Sequence, residues 1–325
     1  MKTTTLNSLR CFSLASALAV TLGFLRIDIA MARPGTNGQP DMPKVRVAED
    51  NRTFTGGNQK AFVPMGVTYY RPGTGWAPQV WKQFDGEATR KDFVQMRERG
   101  INCVRVFLTF GSFYRKTGEL DASGLAKFDE FLAIAEQTGI YVHPAGPDHW
   151  EGMPSWNPAG IEDERTLAAL EEFWKLFAAR YRGRTSIFAY DLRNEPEVGW
   201  NDRMTPAWNA WLTRHYGGAE AIAKAWGRTN AVEIDKVPVP TPTEALNNRE
   251  LLDFQRFRED LADEWTRRQV AAIKSSDPQA LVTVGMIQWS VPALLPPGVR
   301  HYAAFRPSRQ AKLLDFLEVH FYPLT

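Results

Sequence analysis

Cysteine is nearly absent from this 325-residue chain, which has only Cys11 and Cys103. Cys11 lies in an apolar N-terminal stretch. Cys103 stands alone inside the apolar run INCVRVFL, where a buried structural thiol is expected and no intrachain disulfide can form once the N-terminus is removed. Metal-binding patterns are missing as well. The five His (His143, His149, His215, His301, His320) are dispersed, and neither HExxH nor CxxC occurs. Charge of one sign is not in excess, because 39 basic and 37 acidic residues scatter along the chain and leave +2. Nucleic acid therefore has no basic stripe to bind, and no acidic tail argues for disorder. The longest apolar run falls short of the roughly 20 residues that span a bilayer. A glycine fingerprint for phosphate is also lacking, since the first strand-like run, FVPMGVTYY, leads into RPGTGW.

What is present begins at the N-terminus. MKTTTLNSLR gives a basic start, CFSLASALAVTLGFL an apolar stretch, and Ala30-Met31-Ala32 a small-x-small cleavage signature. Residues 1–32 read as a secretory signal, so the expected location is extracellular or periplasmic, with no membrane contact after cleavage. A membrane anchor competes, but the run is short and Arg26 and Asp28 follow it closely. Residues 33–60 read as a leader with a possible hairpin around KVRVAED.

From residue 61 onward a unit repeats: an amphipathic helix, a Gly at its C-terminal end, then a short apolar strand. RKDFVQMRERG precedes INCVRVFL, and LAKFDEFLAIAEQTG precedes IYVHPAG. LAALEEFWKLFAARYRG, with Leu167, Leu170, Phe173, Trp174 and Phe177 on one face, precedes TSIFAYDLRNEP. With FVPMGVTYY, ALVTVGMIQWS and LLDFLEVHFYP this gives strands near 62–69, 102–108, 140–145, 186–193, 281–287 and 315–321. Such alternation means a parallel sheet covered by helices. A doubly wound sheet has the same rhythm. Polar and aromatic residues gather at the strand ends, however: Tyr69, Tyr70, Thr109, Asp148 to Trp150, Asn194, Glu195, Gln288, Trp289, His320 and Tyr322. That favours an α/β fold of the (β/α)8 TIM-barrel type, whose active site lies at this face. Residues 61–325 would hold strands one to six of it, with a helical insertion at about 197–280. Trp208, Trp211, Trp226 and Trp265 in the insertion are at helical spacing and read as core.

The run DLRNEP places Glu195 directly after Asn194 at a strand end. Two carboxyl groups cleave a glycosidic bond, one protonating the leaving oxygen, the other attacking the sugar or activating water. GINCVRV, DLRNEP and VHFYP together resemble the clan A glycoside hydrolases, most like family 5, over nearly all of residues 60–325. The segment HYGGAEAIAKAWG is similar to part of the family 42 β-galactosidases. The resemblance implies Glu195 as general acid/base, Asn194 on the sugar 2-hydroxyl, Arg105 orienting the nucleophile, His320 near the acid/base, and Tyr322 donating to the nucleophile. It also implies an oligo- or polysaccharide substrate, β-mannan or β-glucan first and a β-galactoside second, and no cofactor. The family's nucleophile is a Glu after the seventh strand. That residue, with strands seven and eight, is expected beyond Thr325, so this chain alone is expected to be inactive and to expose two strand edges.

Plainer readings remain beside these. Arg105 could simply pair with Glu318 or Asp191, and His320 could be a core histidine. HPAGPDHW offers either His143 or His149 as a site histidine. Trp150, Trp156, Trp200 and Trp289 follow strands and could stack on sugar faces. A non-catalytic carbohydrate-binding fragment is the rival of another class. A Schiff-base aldolase barrel is disfavoured because no strand end carries an inward Lys.

Overall fold

Three short extended pieces open the described part of the chain: β1 (Arg46–Val47), β2 (Phe54–Thr55) and β3 (Ala61–Phe62), antiparallel and adjacent in that order. The structure, a computed structural model, describes residues 41–322 except 58, 72, 76–78, 158–159, 231, 242–247 and 291–302. The expected secretory signal lies outside the described residues, as do residues 33–40 of the leader. Phe62 joins Met42, Val45, Cys103, Tyr141, Phe188 and Leu281 in an apolar cluster where the central strands begin. Cys103 is buried there, and burial pushes its thiol well above the ordinary range, which makes it a core residue and not a nucleophile.

The central sheet contains β4 (Gly66–Thr68), β5 (Cys103–Thr109), β6 (Tyr141–Asp148), β7 (Tyr190–Asn194), β8 (Val282–Met286) and β9 (Glu318–Val319), parallel throughout and in chain order. An order without reversal curls into a barrel wall; a doubly wound sheet would reverse partway. The described residues thus form six strands of an incomplete (β/α)8 barrel. Two strands are shorter than their apolar runs. The first loses its start because Phe62 pairs with Phe54 in the small sheet, and the fourth because Ile187 makes only an isolated bridge to Val142. Among the described residues β4 and β9 each have one strand neighbour, and Met65, Val67, Leu317 and Val319 are exposed along those edges.

The helices are α1 (Gln79–Lys82), α2 (Gly86–Glu98), α3 (Phe110–Phe113), α4 (Ala122–Thr138), α5 (Glu164–Arg180), α6 (Thr205–Tyr216), α7 (Ala219–Trp226), α8 (Arg249–Ser276) and α9 (Pro307–Gln310). Side-chain caps start the long ones: Asp85, Asp121, Asp163 and Asn248 each accept a backbone N–H of the first turn. Each cap contributes about 1 kcal/mol. Leu167, Leu170, Phe173, Trp174 and Phe177 are buried along α5, as their spacing requires.

Helix α8 has two jobs. Its first half packs Phe254 and Phe257 on Trp208, which also stacks with Trp211 and Trp226 at centroid distances of 5.4 and 6.2 Å. Its second half lies along α5, where Trp174 Nε1 donates to Gln269 at 3.1 Å and Arg268 pairs with Glu164 and Glu171. The second half is therefore part of the barrel's helix layer.

Candidate active site

Strand β7 ends at Asn194, and Glu195 follows with φ 48°, a left-handed conformation that costs a non-glycine residue about 1 kcal/mol or more. Two contacts hold it there: its N–H donates to the Gly285 carbonyl at 2.7 Å, and its Oε1 accepts from His320 Nδ1 at 2.8 Å. His320 is itself fixed by its backbone N–H on the Met286 carbonyl at 2.8 Å. The carboxyl and the imidazole thus meet because β8 lies between the strands that carry them and bonds to the residue following each.

Beneath this pair lies a charged network. Arg105, on β5, donates Nε to Asp191 Oδ2 at 3.1 Å and a terminal nitrogen to Asn194 Oδ1 at 3.1 Å; a second terminal nitrogen also contacts Asp191. Its Nε lies 3.5 Å from Glu318 Oε1. Asp191 is fully buried and also accepts the Gly285 N–H at 2.8 Å and the Arg193 N–H at 3.2 Å; burial raises its pKa, and the Arg105 charge opposes the rise. His143 sends Nδ1 to the Ala189 carbonyl at 2.8 Å and Nε2 to Glu318 Oε2 at 2.9 Å. Both partners can only accept, so both ring nitrogens donate and His143 is an imidazolium. Asp191 and Glu318 thereby balance Arg105 and His143.

The titrations follow from this arrangement. Burial alone would lower His143, but Glu318 outweighs it and holds the imidazole above its usual range. Burial likewise opposes a charged His320, and the hydrogen bonds to Glu195 and Glu318 overcome it, raising the pKa to about 9. Burial would raise Glu318, yet His143, His320 and Arg105 hold it well below the carboxylate range. Arg105 stays charged: desolvation is outweighed by Asp191 and Glu318, and its pKa rises.

These groups face a cleft of about 560 Å³ lined by Thr68, Arg105, Phe107, Asn194, Glu195, Glu318, His320, Phe321 and Tyr322. It lies at the C-terminal ends of the strands. Tyr322 is 71% exposed on the wall, its N–H donating to Gln288 Oε1 at 3.2 Å. Trp150 packs edge-on against Phe107 at 4.6 Å, which sets it beside the cleft. Trp289 donates Nε1 to Glu197 on the loop after Glu195. Trp156 and Trp200 are drawn into packing instead. Trp156 donates to the Arg115 carbonyl at 3.1 Å and meets Phe110 and Tyr114 edge-on. Trp200 donates to the Pro240 carbonyl at 2.7 Å and packs on Phe254. His149 is half exposed near Arg193 and Asp148, whereas His143 belongs to the buried network.

The structure gathers Arg105, Asn194, Glu195, His320 and Tyr322 at one cleft, and it makes the plainer reading of Arg105 part of the same picture. The ion pair with Asp191 and Glu318 is what carries the guanidinium to Asn194. Sequence reasoning missed Gly285. A Cβ there would lie 2.8 Å from His320 Nε2 and 2.9 Å from both Arg105 and Asp191, so only glycine lets the three groups converge. The available signal was a Gly inside the apolar strand VTVGM, which marks close approach. Asp148 was noticed only as a strand-end residue, yet its buried carboxylate takes the Asn194 N–H at 3.2 Å and pairs with Arg193.

Several solved structures share this architecture. Exo-beta-1,4-mannosidase Op5Man5 from Opitutaceae bacterium strain TAV5 superposes with a TM-score of 0.56 at 17% identity, covering 82% of this chain and 40% of that one. A beta-galactosidase from the psychrophilic Marinomonas ef1 gives 0.60 at 22% identity, with 79% and 40% covered. GH5_18 from Streptomyces cattleya, in complex with GlcNAc, gives 0.53 at 17% identity, with 80% and 51% covered. The chain thus spans between 40% and 51% of the length of these structures, and the likeness shows the fold. The sequence itself goes further: residues 64–325 match the family described as Cellulase (glycosyl hydrolase family 5), and the chain belongs to that glycoside hydrolase family.

Proposed function

We propose that this protein hydrolyses β-linked glycans by the retaining two-carboxylate route, with Glu195 as the general acid/base. The observation that carries the reading is the Glu195 carboxyl at the strand-end cleft, 2.8 Å from His320 and beside Asn194, with Arg105 fixing Asn194 from below. A carboxyl whose oxygen is held by an imidazole can give a proton to a leaving glycosidic oxygen and later take one from water. Asn194 is oriented through both its N–H and its side-chain oxygen, which leaves its amide nitrogen to meet a sugar hydroxyl.

Retention needs a second carboxylate about 5–5.5 Å from the first, across the sugar. Glu318 does not suit that place, because the His320 ring stands between it and Glu195, with Nε2 3.5 Å from Glu318 and Nδ1 2.8 Å from Glu195. Asp191 is fully buried beneath Arg105. We assign the nucleophile to the arc of the barrel between β9 and β4, where Tyr322 and Thr68 bound the cleft and Tyr322 could donate to it.

For substrate, β-mannan or β-glucan is favoured, with Trp150 and Trp289 as stacking faces at the cleft and its rim. A β-galactoside is the second reading, supported by HYGGAEAIAKAWG and by the fold shared with beta-galactosidases. Export follows from residues 1–32, and N-terminal sequencing of the mature protein after Ala32 checks it. The test of function is a panel of β-mannans, β-glucans and β-galactosides against the full-length protein, as wild type and as Glu195→Gln. Loss of about 100-fold or more in the variant supports the assignment. Unchanged turnover sinks it, and glycan binding without turnover by the wild type favours the carbohydrate-binding alternative.

A further inference from the structure

Arg258 sits on the buried stripe of α8, one turn after Phe254, and is fully enclosed. An arginine there is costly, since taking a guanidinium from water costs several kcal/mol unless its donors are satisfied. Its partners explain it. One terminal nitrogen donates to the Val198 carbonyl at 2.5 Å, and Nε donates to the Gly199 carbonyl at 3.1 Å. The other terminal nitrogen donates to Gln255 Oε1 at 2.7 Å, and the guanidinium lies 5.0 Å over the Trp200 ring. Two successive carbonyls are thus grasped by one planar fork, a geometry a lysine ammonium cannot reproduce.

Val198 and Gly199 are the end of the loop that starts at Glu195. Between them Pro196 has a fixed φ and restricts the residue before it. Glu197 is tied to Trp289. The Val198 N–H donates to the Ala303 carbonyl at 3.2 Å. Little slack remains in this stretch, so moving the Val198 and Gly199 carbonyls would be transmitted to Glu195, whose left-handed backbone already needs holding.

We infer that Arg258 is a positioning residue for the acid/base: from α8 it clamps the loop carrying Glu195 and so sets where the carboxyl stands over the cleft. The inference rests on the reading of Glu195 given above. Burial lowers Arg258 to about 10, with Glu197 and Glu259 opposing the drop, so the clamp is charged at neutral pH. Because Phe254 and Phe257 on the same helix seat the Trp208 cluster, Arg258 couples the inserted unit to the acid/base.

The test exploits leaving-group chemistry. A displaced acid harms departure of a poor leaving group and spares one that leaves without a proton. In the full-length protein, wild type, Glu195→Gln, Arg258→Met and Arg258→Lys are compared by kcat/KM, which reports the steps from free enzyme and substrate through the first bond cleavage. The substrates are aryl β-mannobiosides, β-cellobiosides and β-galactosides carrying 2,4-dinitrophenol or unsubstituted phenol. Glu195→Gln should lose about 100-fold or more on the phenyl glycoside and far less on the dinitrophenyl one. Arg258→Met should show the same split at about 10- to 100-fold, with Arg258→Lys between it and wild type. Equal losses on both leaving groups, or none, in folded Arg258 variants while Glu195→Gln shows the split would overturn the inference. Absence of the split in Glu195→Gln would instead overturn the acid/base assignment. Circular dichroism reports the folded fraction, and if Arg258→Met does not fold, the leaving-group ratio of Arg258→Lys decides.

Discussion

Two buried arginines, Arg105 under the cleft and Arg258 behind the loop that follows it, solve the same problem in opposite ways. Arg105 is answered by charge, with Asp191 against it and Glu318 at 3.5 Å, and its pKa rises. Among the described residues Arg258 donates to neutral oxygens, the Val198 and Gly199 carbonyls and the Gln255 amide, and burial lowers its pKa to about 10. An ion pair in a low-dielectric interior is strong but gives little freedom, whereas carbonyl partners position backbone without adding a second charge near the reaction. The region that must hold charges at fixed separations uses the first device. The region that must hold a loop uses the second.

The largest effect expected from breaking this contrast belongs to Arg105→Met. It strands the buried Asp191 carboxylate and should cost about 3–5 kcal/mol in urea unfolding. Gly285→Ala comes next. Its methyl group would press on His320, Arg105 and Asp191 at once, so a loss of roughly 1–3 kcal/mol should accompany a fall in turnover. Arg258→Met should cost less than Arg105→Met, roughly 1–3 kcal/mol, because the described acceptors it leaves without a donor are neutral oxygens. Equal costs for the two arginines would erase the distinction between them.

The smallest effect is the pH dependence owed to His320. Its folded pKa, about 9, lies above the ordinary 6.5, so the folded state binds the extra proton. The stabilisation is fully present below pH 6.5 and is lost as pH rises through about 9. His320→Gln should flatten the stability slope across that window, measured by urea unfolding at successive pH values. An unaltered slope would mean that Glu195 and Glu318 do not hold the proton on His320.

Much of the scaffold was legible in the chain. Leu167, Leu170, Phe173, Trp174 and Phe177 recur at helical spacing, and a helix with that stripe has only one face to bury. The strand order followed from the same alternation, and Glu195, Arg105, Asn194 and His320 were visible because each ends or lines a strand. Less legible were groups whose role depends on what approaches from elsewhere. Gly285 reads as an ordinary strand glycine until three side chains from three other strands or strand ends are seen converging on it. Arg258 left a fainter sign, a charged residue on the stripe between Phe254 and Trp265. Trp156 and Trp200 resemble Trp150 in sequence as post-strand tryptophans, yet their indole N–H groups are engaged by the Arg115 and Pro240 carbonyls.

The sequence by itself determined the periodicities, the caps, the parallel order of strands and the identity of the carboxyl that follows β7. Those depend on neighbours within one helix or strand, where spacing and side-chain type settle the outcome. Tertiary structure alone decided that Arg105 reaches Asn194 by way of Asp191, that His143 is a buried imidazolium, and that α8 grips the loop after Glu195. Each of these joins residues dozens of positions apart, and hydrogen-bond geometry at such range is set only once the sheet has curled and the helices have packed upon it.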